Sequence, residues 1–396
     1  MTHRWKRWLA PGAAITAAAL LAACSSSSSS SSSSAASSST SAVPSSGSTA
    51  GSGLTAAQKM VTQLESTTSA YPVPAASVSG VSKLKDRTVY YVPLDAHIPG
   101  FVVTAATMKV ALAKAGLKFQ ECDGQGNPTA IAACVSQAQG AGAAGIVLDA
   151  IPYGMVQNAL DSAKSKGVPI IIADQYPPTG TTNTQQVAYV PGVVNQPTQV
   201  AWWLIAASGG KASAIIGEEE DSPSSVAYVQ NALPIFKQYC PDCHVVVKPI
   251  TASMSDQQIT ASVTSNVQTD PTAQYYYTEF EDSLQDTVSG IQASGKGSSV
   301  GIAVAGGSVN GLGLLKSGQL VKAVVAVDQA YAGWALTDEI LRMAAKSAPV
   351  TETFPSRLFD SQNIGSVQVT SAAQASGAWF GDDSYQAAFA KLWGVG

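Results

Sequence analysis

Short apolar runs alternate with polar turns and amphipathic helices between residues 85 and 175. The apolar runs occupy residues 88–93, 117–122, 145–149 and 168–173, and helical stripes cover residues 101–115, 129–139 and 154–166. Each apolar run leads into a turn rich in Gly, Pro, Asp or Asn. Strand–turn–helix units of this length predict a parallel sheet that is covered by helices on both faces.

The same pattern restarts after residue 200, which predicts a second lobe. The predicted strands are 212–217, 245–248, 274–278, 300–304 and 321–327, and the predicted helices are 200–207, 224–238, 256–268, 283–294 and 331–346. A chain of 396 residues is long enough for two such lobes. The predicted fold class is therefore α/β, with two similar doubly wound parallel-sheet lobes joined by a hinge of several chain crossings.

The predicted boundaries lie where this pattern changes. Residues 85–190 together with 329–350 form the first lobe, and residues 191–328 together with 351–396 form the second. Residues 54–84 are a lead-in segment with a short helix, which we expect to pack on the first lobe.

The hinge is expected at three places, near residues 189–193, 328–330 and 348–354. Chain crossings of this kind allow two lobes to close around a ligand.

The N-terminus has the pattern of a bacterial secretion signal. Arg4, Lys6 and Arg7 precede a short apolar stretch at residues 13–21, which is too short to span a bilayer as a mature anchor. The stretch ends in Leu-Ala-Ala-Cys at residues 21–24, which resembles the lipobox of bacterial lipoproteins.

This resemblance implies that residues 1–23 are a signal peptide and that Cys24 is lipidated, which would anchor the protein to the outer side of the cell membrane. The alternative is an ordinary signal peptide without a lipid. Residues 24–53 include ten consecutive serines and offer almost no apolar surface, which predicts a flexible tether.

The charge balance bears on the partners. Hydrophobic residues make up 45% of the chain and charged residues 12%. Without residues 1–23, 19 basic and 26 acidic residues remain, a net charge of −7. A nucleic-acid partner requires a basic face, so this balance argues against one.

Four turns follow the first-lobe strands and define the candidate site. They are residues 95–101, 123–128, 150–153 and 174–176. In open parallel sheets, ligands bind at the carboxyl ends of the strands, where these turns meet.

The order of several motifs resembles the type I periplasmic solute-binding proteins, in the sugar-binding branch typified by ribose-binding protein. The motifs are His97-Ile-Pro-Gly-Phe101, Asp123-Gly-Gln-Gly-Asn-Pro128, Asp149-Ala-Ile-Pro152 and Val168-Pro-Ile-Ile-Ile-Ala-Asp174. The resemblance implies a monomer that performs no catalysis, uses no cofactor and carries a sugar-like ligand to the permease and ATPase of a bacterial ABC importer.

The resemblance also suggests site residues. Phe101 matches an aromatic that lines the pocket, and Asp174 matches a hydroxyl-binding aspartate. Gln175 stands where the family usually has arginine, and Gly306 stands near a position where it has aspartate. Together with nearby aromatic and polar residues, the candidate ligand-binding set is Phe101, Tyr153, Asp174, Gln175, Tyr176, Phe280, Glu281, Asp328 and Gln329.

Several alternatives stay open at this stage. Tyr153 and Tyr176 are as consistent with rim positions, and the acidic turn at 218–221 is as consistent with a solvated loop. His97 fits a turn residue, and three histidines without ligand-like spacing predict no metal site. The acidic residues leave room for a cationic ligand such as an amino sugar or a polyamine.

Two other functions compete with import. The protein could present its ligand to a membrane receptor or kinase as a sensor. An enzyme is less consistent with the sequence, because it contains no GxSxG elbow, no Walker A loop and no HExxH motif. The Gly-rich stretch at 140–145 ends a helix and precedes a strand, which is the reverse of a dinucleotide-binding loop.

The cysteines form the last candidate feature. Besides Cys24 there are four, which allow three pairings. Cys122 ends a predicted strand and Cys134 lies about two turns into the next helix, so we predict the pairs Cys122–Cys134 and Cys240–Cys243. The alternative is buried free thiols.

Overall fold

A computed structural model describes residues 46–251 and 254–395 of the chain. All of them belong to one compact unit, Ser45–Gly396. The predicted signal peptide, the lipidation site at Cys24 and most of the predicted tether lie outside the described residues. Within the described residues, no helix combines the length and the apolar character that a membrane crossing requires.

The described residues contain eleven strands and twelve α-helices. The strands are β1 (Thr88–Pro93), β2 (Lys118–Glu121), β3 (Gly145–Asp149), β4 (Ile170–Ala173), β5 (Val187–Val190), β6 (Ser213–Glu219), β7 (His244–Ile250), β8 (Tyr275–Thr278), β9 (Gly301–Gly306), β10 (Val321–Val327) and β11 (Ser356–Asp360). The helices are α1 (Ser46–Leu64), α2 (Pro99–Lys114), α3 (Pro128–Gly140), α4 (Gln157–Ser165), α5 (Gln196–Ala207), α6 (Pro223–Tyr239), α7 (Asp256–Thr269), α8 (Leu284–Ala293), α9 (Val309–Lys316), α10 (Gln329–Ala344), α11 (Ser371–Ser376) and α12 (Ser384–Leu392).

The strands form two sheets, which confirms the predicted α/β class. The first sheet has the order β2-β1-β3-β4-β5 and is parallel throughout. The second has the order β11-β10-β9-β8-β6-β7, and only β11, which pairs with β10, runs antiparallel. In the C-terminal segment, β11 is followed by α11 and α12.

Buried strands and capped helices explain why the sequence adopts this order. Every residue of β3 is buried, as expected for a central strand of a sheet covered on both faces. Helix α3 begins at Pro128, because Asn127 Oδ1 accepts a hydrogen bond of 2.8 Å from the Thr129 N–H and Pro128 suits the first turn.

The last helix packs on a different lobe from the one that the predicted boundary assigned to it. Residues 351–396 were predicted to lie in the second lobe, but α12 packs into the core of the first. Tyr385, Phe389 and Trp393 join that core, and Trp393 stacks on Trp334 of α10 with ring centroids 5.5 Å apart. Aromatic side chains give this helix an apolar face, but the lobe on which it packs depends on the chain path through the hinge.

Helix α1 also departs from the prediction. It begins at Ser46, inside the segment 24–53 that was predicted to be a flexible tether, and it packs on α5 and α6 of the second lobe instead of on the first. Gly53 lies against the backbone of Tyr239, where a Cβ would collide with the carbonyl. The helical spacing of Ala57, Val61 and Leu64 predicts an apolar face but does not identify its partner.

A strap of residues 65–78 leads from α1 to the first lobe and passes over the hinge. At its start, the Glu65 carbonyl accepts from the Arg357 guanidinium at 2.8 Å, and the Thr68 N–H donates to the Phe380 carbonyl at 2.6 Å. Tyr71 then stacks on Tyr331 of α10, with ring centroids 5.3 Å apart. The strap is thus an additional connection between the lobes, beyond the three that were predicted.

A buried ionic cluster holds α10 in the first lobe. Arg342 and Asp338 form an ion pair of 2.5 Å, and the Arg342 side chain also donates to the carbonyl of Ala76 in the strap. Glu339 and Glu352 are buried beside this pair. Burial raises the pKa of Glu352 to about 9 and that of Glu339 to about 7.

Both predicted disulfides are confirmed. Cys122 is bonded to Cys134 and Cys240 to Cys243. The first joins the end of the edge strand β2 to α3, and the second closes a short turn between α6 and β7.

The Cys122–Cys134 disulfide is expected to stabilise the fold more than the Cys240–Cys243 disulfide, which closes a shorter loop. Replacing Cys122 and Cys134 by Ser should lower the free energy of unfolding by about 3 kcal/mol. Replacing Cys240 and Cys243 by Ser should lower it by about 2 kcal/mol, because the constraint on the unfolded chain grows with loop length. Urea denaturation of the two double variants measures both values. A larger loss from the second pair would contradict this prediction.

Stability is expected to decline as the pH rises. A carboxyl group whose pKa is raised on folding stabilises the folded protein fully while the pH is below its pKa in the unfolded chain. This contribution is lost as the pH rises through its pKa in the folded protein. For Glu352 this range runs from 4.5 to about 9. The melting temperature should fall across this range, and Glu352→Gln should raise it at pH 8 more than at pH 5. Asp242→Asn, at an exposed position, serves as the control; an equal shift in both variants would contradict the role of Glu352.

Candidate ligand site between the lobes

A cavity of about 330 Å³ lies between the lobes, at the carboxyl ends of the parallel strands. The first lobe lines it with the turn after β1, the turn after β3 and the end of β4. These segments contribute Leu94, Ile98, Pro99, Gly100, Phe101, Val103, Ala150, Pro152, Met155, Asp174 and Gln175. Three of the four predicted turns therefore meet at the cavity, whereas residues 123–128 do not line it.

The second lobe lines the cavity with the turns after β6, β8 and β9. Their residues are Glu219, Asp221, Ser222, Ser225, Tyr228, Phe280, Glu281, Asp282, Ala305, Gly306, Gly307, Ser308 and Asn310. Hinge and tail residues complete the walls, namely Val193, Gln196, Val327, Gln329, Gln374, Trp379 and Phe380.

Six of the nine predicted site residues lie in these walls. They are Phe101, Asp174, Gln175, Phe280, Glu281 and Gln329. The Gln329 amide is held by Thr104, whose hydroxyl donates to Gln329 Oε1 at 2.9 Å. Whether each of the six contacts a ligand remains a prediction.

Tyr153 and Tyr176 do not line the cavity. The Tyr153 hydroxyl donates to Asp161 of α4 at 2.7 Å, and this bond holds the ring against the first lobe. The Tyr176 ring lies against Tyr228, with centroids 5.2 Å apart, and its hydroxyl accepts from Asn231 of α6. Both side chains follow strand ends, as a site residue would, but their hydroxyl groups have partners elsewhere.

Asp328 is likewise placed outside the cavity. Its carboxylate caps α10 by accepting from the Tyr331 N–H at 3.0 Å, and it also accepts from the hydroxyl of Tyr71 in the strap. It is fully buried, and burial raises its pKa to about 7. Its position beside Gln329 suggested a ligand contact, but its hydrogen bonds indicate a structural role in the hinge.

Asp174 and Asp149 form a buried pair at the ends of β4 and β3. Asp149 Oδ2 accepts from the Tyr91 hydroxyl at 2.7 Å, whereas Oδ1 of Asp149 and Oδ1 of Asp174 have no hydrogen-bond partner. Burial raises the pKa of Asp174 well above its usual range, and the neighbouring Asp149 raises it further. Asp174 also has a positive φ of 55°, so the chain turns sharply at this carboxyl group.

Glu281 is held at the N-terminus of α9. Its carboxylate accepts hydrogen bonds from the N–H groups of Gly307, Ser308 and Gly311 at 2.7–2.8 Å, and from the Ser308 hydroxyl. A helix N-terminus stabilises a negative charge in this position. A Cβ at Gly306 would collide with the same carboxylate, so Glu281 fills the space beside Gly306.

A second acidic group lies at the ends of β6 and β8. Glu279 Oε2 accepts from the Glu219 N–H at 2.7 Å, and Glu219 Oε1 accepts from the Ser283 hydroxyl at 3.0 Å. Burial raises the pKa of Glu279 to about 9 and that of Glu219 to about 8. Asp221 and Asp282 extend this group and are exposed at the cavity.

The turn at 218–221, whose role the sequence left open, therefore takes part in the cavity through Glu219 and Asp221. Glu218 does not, because it points to the other face of β6 and accepts from Gln230 of α6 at 2.8 Å. The carboxyl end of β6 was available as a signal for these residues. No sequence signal indicated Trp379 or Phe380, which come from the tail.

The two lobes contact each other beside the cavity. The Tyr228 hydroxyl of α6 donates to the Asp174 carbonyl, and the Tyr176 N–H donates to the Ser224 hydroxyl at 3.0 Å. The end of β4 is thus joined directly to α6.

One group of described residues has side chains close enough to share a metal ion. Single ligand atoms of Asp95, His97 and Asp123 lie within 4.8 Å of one another, away from the cavity walls. Asp123 Oδ1 already accepts from the N–H groups of Ala96 and Gln125, both at 2.9 Å, and Asp95 Oδ1 accepts from the His97 N–H at 2.8 Å. These bonds give the three residues a role in their own turn.

The fold has the architecture of the type I periplasmic solute-binding proteins. A comparison with protein-family models finds no match, and a comparison with curated proteins finds no relative. Solved structures that are similar to this chain share its fold at low sequence identity.

Three of these solved structures illustrate the likeness. The 5-methylthioribose transporter solute-binding protein of Thermotoga lettingae is 12% identical, with 78% of this chain and 98% of that chain covered and a TM-score of 0.64. A glucose-galactose binding protein of Geobacillus stearothermophilus is 14% identical, with coverage of 70% and 99% and a TM-score of 0.63. The Caulobacter myo-inositol binding protein is 19% identical, with coverage of 74% and 98% and a TM-score of 0.61.

The two neighbouring carboxyl groups at 281 and 282 are expected to behave differently on mutation. Glu281→Gln replaces an acceptor of four hydrogen bonds and should lower the free energy of unfolding by about 1–3 kcal/mol. Asp282→Asn, at an exposed position, should change it by less than about 0.5 kcal/mol. Urea denaturation compares the two variants. Equal losses would show that Glu281 does not have the structural role described.

Proposed function

We propose that the protein is the solute-binding component of an ABC importer, which captures a small, sugar-like polar ligand between its lobes and delivers it to a membrane permease. In this proposal it binds and performs no catalysis. The observation that carries the proposal is the cavity at the facing carboxyl ends of the two sheets, which combines aromatic side chains with hydrogen-bonding groups.

The chemistry of the walls supports a polyhydroxylated ligand. A sugar presents apolar C–H faces and hydroxyl groups, and aromatic side chains suit the faces. Phe101, Phe280 and Trp379 provide such side chains in the cavity. Carboxyl and amide groups suit the hydroxyls, and Asp174 and Gln175 place such groups in the cavity wall.

The solved structures with the same fold support the class of ligand. Their names describe proteins that bind 5-methylthioribose, glucose and galactose, or myo-inositol. All four are small sugars or polyols, of a size that a cavity of about 330 Å³ can enclose.

The N-terminal sequence supports the proposed location. In this proposal Cys24 carries the lipid, the serine-rich segment that follows it gives the lobes reach from the membrane, and α1 attaches that segment to the second lobe. The permease and the ATPase are the expected partners, and the protein acts as a monomer.

Calorimetry with a panel of sugars and their amino derivatives tests the function. Glucose, galactose, ribose, myo-inositol, glucosamine and galactosamine form the panel, and at least one should bind saturably. Asp174→Ala should weaken the tightest binding member about 10- to 100-fold, because it removes a hydrogen bond to a buried carboxyl group.

The control is Val102→Ala, a side chain on α2 that is 50% exposed and lies outside the cavity walls. It should leave affinity unchanged, whereas Phe101→Ala, one residue earlier, should weaken it. Solution scattering with the same ligand should show a smaller radius of gyration if the lobes close on binding. If no panel member binds, the proposed ligand class is wrong.

A further inference from the structure

The charged side chains in the cavity walls are all acidic. These walls contain five acidic side chains, which are Asp174, Glu219, Asp221, Glu281 and Asp282. Among the described residues that line the cavity there is no Lys, Arg or His. A ligand between the lobes therefore meets carboxyl groups from both sides and no basic side chain.

These carboxyl groups are not equally available. The Glu281 carboxylate is occupied by four hydrogen bonds from the start of α9, so its charge is already compensated. Glu219 accepts from Ser283 through only one of its oxygens. Asp282 uses Oδ1 to accept from the adjacent Ser283 N–H at 2.9 Å, and its side chain is exposed at the cavity.

Asp174 is the polar group that the first lobe presents beside its aromatic wall. It is 8% exposed and lies in the cavity wall, and burial next to Asp149 raises its pKa well above the usual range. A carboxyl group that keeps its proton can both donate to and accept from a hydroxyl group. The first lobe thus offers a partner for the hydroxyl groups of a ligand.

The second lobe adds a requirement on charge. Glu219, Asp221 and Asp282 line the cavity together at the ends of β6 and β8, where burial, and to a smaller extent the neighbouring carboxyl groups, raise the pKa values of Glu219 and Asp282. A carboxylate or phosphate on the ligand would be disfavoured beside these groups, whereas an ammonium group would favour their ionised forms through charge-assisted hydrogen bonds.

We propose that the ligand is an amino sugar or an amino polyol, with its hydroxyl groups toward Asp174 and its protonated amine between Glu219, Asp221 and Asp282. This inference rests on the proposed function and adds the charge of the ligand to it. The aromatic walls at Phe101 and Phe280 are compatible with the C–H faces of such a ring.

Matched sets of sugars test the charge directly. Calorimetry compares glucosamine, glucose and glucuronate, and likewise galactosamine, galactose and galacturonate, at pH 7. In at least one set the amine should bind at least tenfold more tightly than the neutral sugar, and the acid should not bind. The advantage of the amine should shrink as salt is raised, because screening weakens the attraction.

Variants locate the amine. Asp282→Asn should reduce the ratio of amine affinity to neutral affinity at least fivefold, and Glu219→Gln should do the same. Asp256→Asn, at an exposed position at the start of α7, serves as the matched control and should leave the ratio unchanged. Because Asp282 is exposed, its variant is expected to fold, which a thermal melt verifies.

The outcomes separate this inference from the proposed function. If a neutral sugar binds as tightly as its amine, or if Asp282→Asn and Glu219→Gln both leave the ratio unchanged, the inference is wrong and the proposed function stands. If an acid is preferred, the inference is also wrong. If no member of either set or of the wider panel binds, both proposals fail.

Discussion

The direction of the strands is the constraint on which the site depends. All strands of the first sheet, and all but β11 of the second, are parallel to their neighbours, so the turns that follow them gather at one edge of each sheet. The two edges face each other across the hinge and enclose the cavity. Residues far apart in sequence, such as Phe101, Asp174 and Phe280, meet there because of this constraint.

The second theme is how buried carboxyl groups are stabilised. Glu281 and Asp328 lie at helix N-termini, where backbone N–H groups compensate their charge. Asp338 pairs with Arg342 inside the first lobe. Asp174 has no such basic partner in the cavity wall. Carboxyl groups that support the fold are therefore distinguished from those available to a ligand by their hydrogen bonds, and not by their position in sequence.

The hinge joins the lobes through more contacts than the three predicted crossings. The strap between α1 and β1 contacts β11 of the second lobe through Glu65 and α10 of the first lobe through Tyr71. The chain also returns from α11 to α12, whose aromatic side chains complete the first core. The segment that leads from the N-terminal region is thus packed against both lobes before the first strand begins.

The sequence by itself determined the fold class, most element positions and both disulfide pairings, and six of its nine candidate site residues lie in the cavity walls, because the periodicity of apolar residues and the ends of strands are local features. Only the tertiary structure decided that α1 packs on the second lobe and α12 on the first, since an apolar face does not identify its partner. It also decided that Tyr153, Tyr176 and Asp328 point away from the cavity while Glu219 and Asp282 line it. The direction of a side chain in a turn depends on contacts between segments distant in sequence.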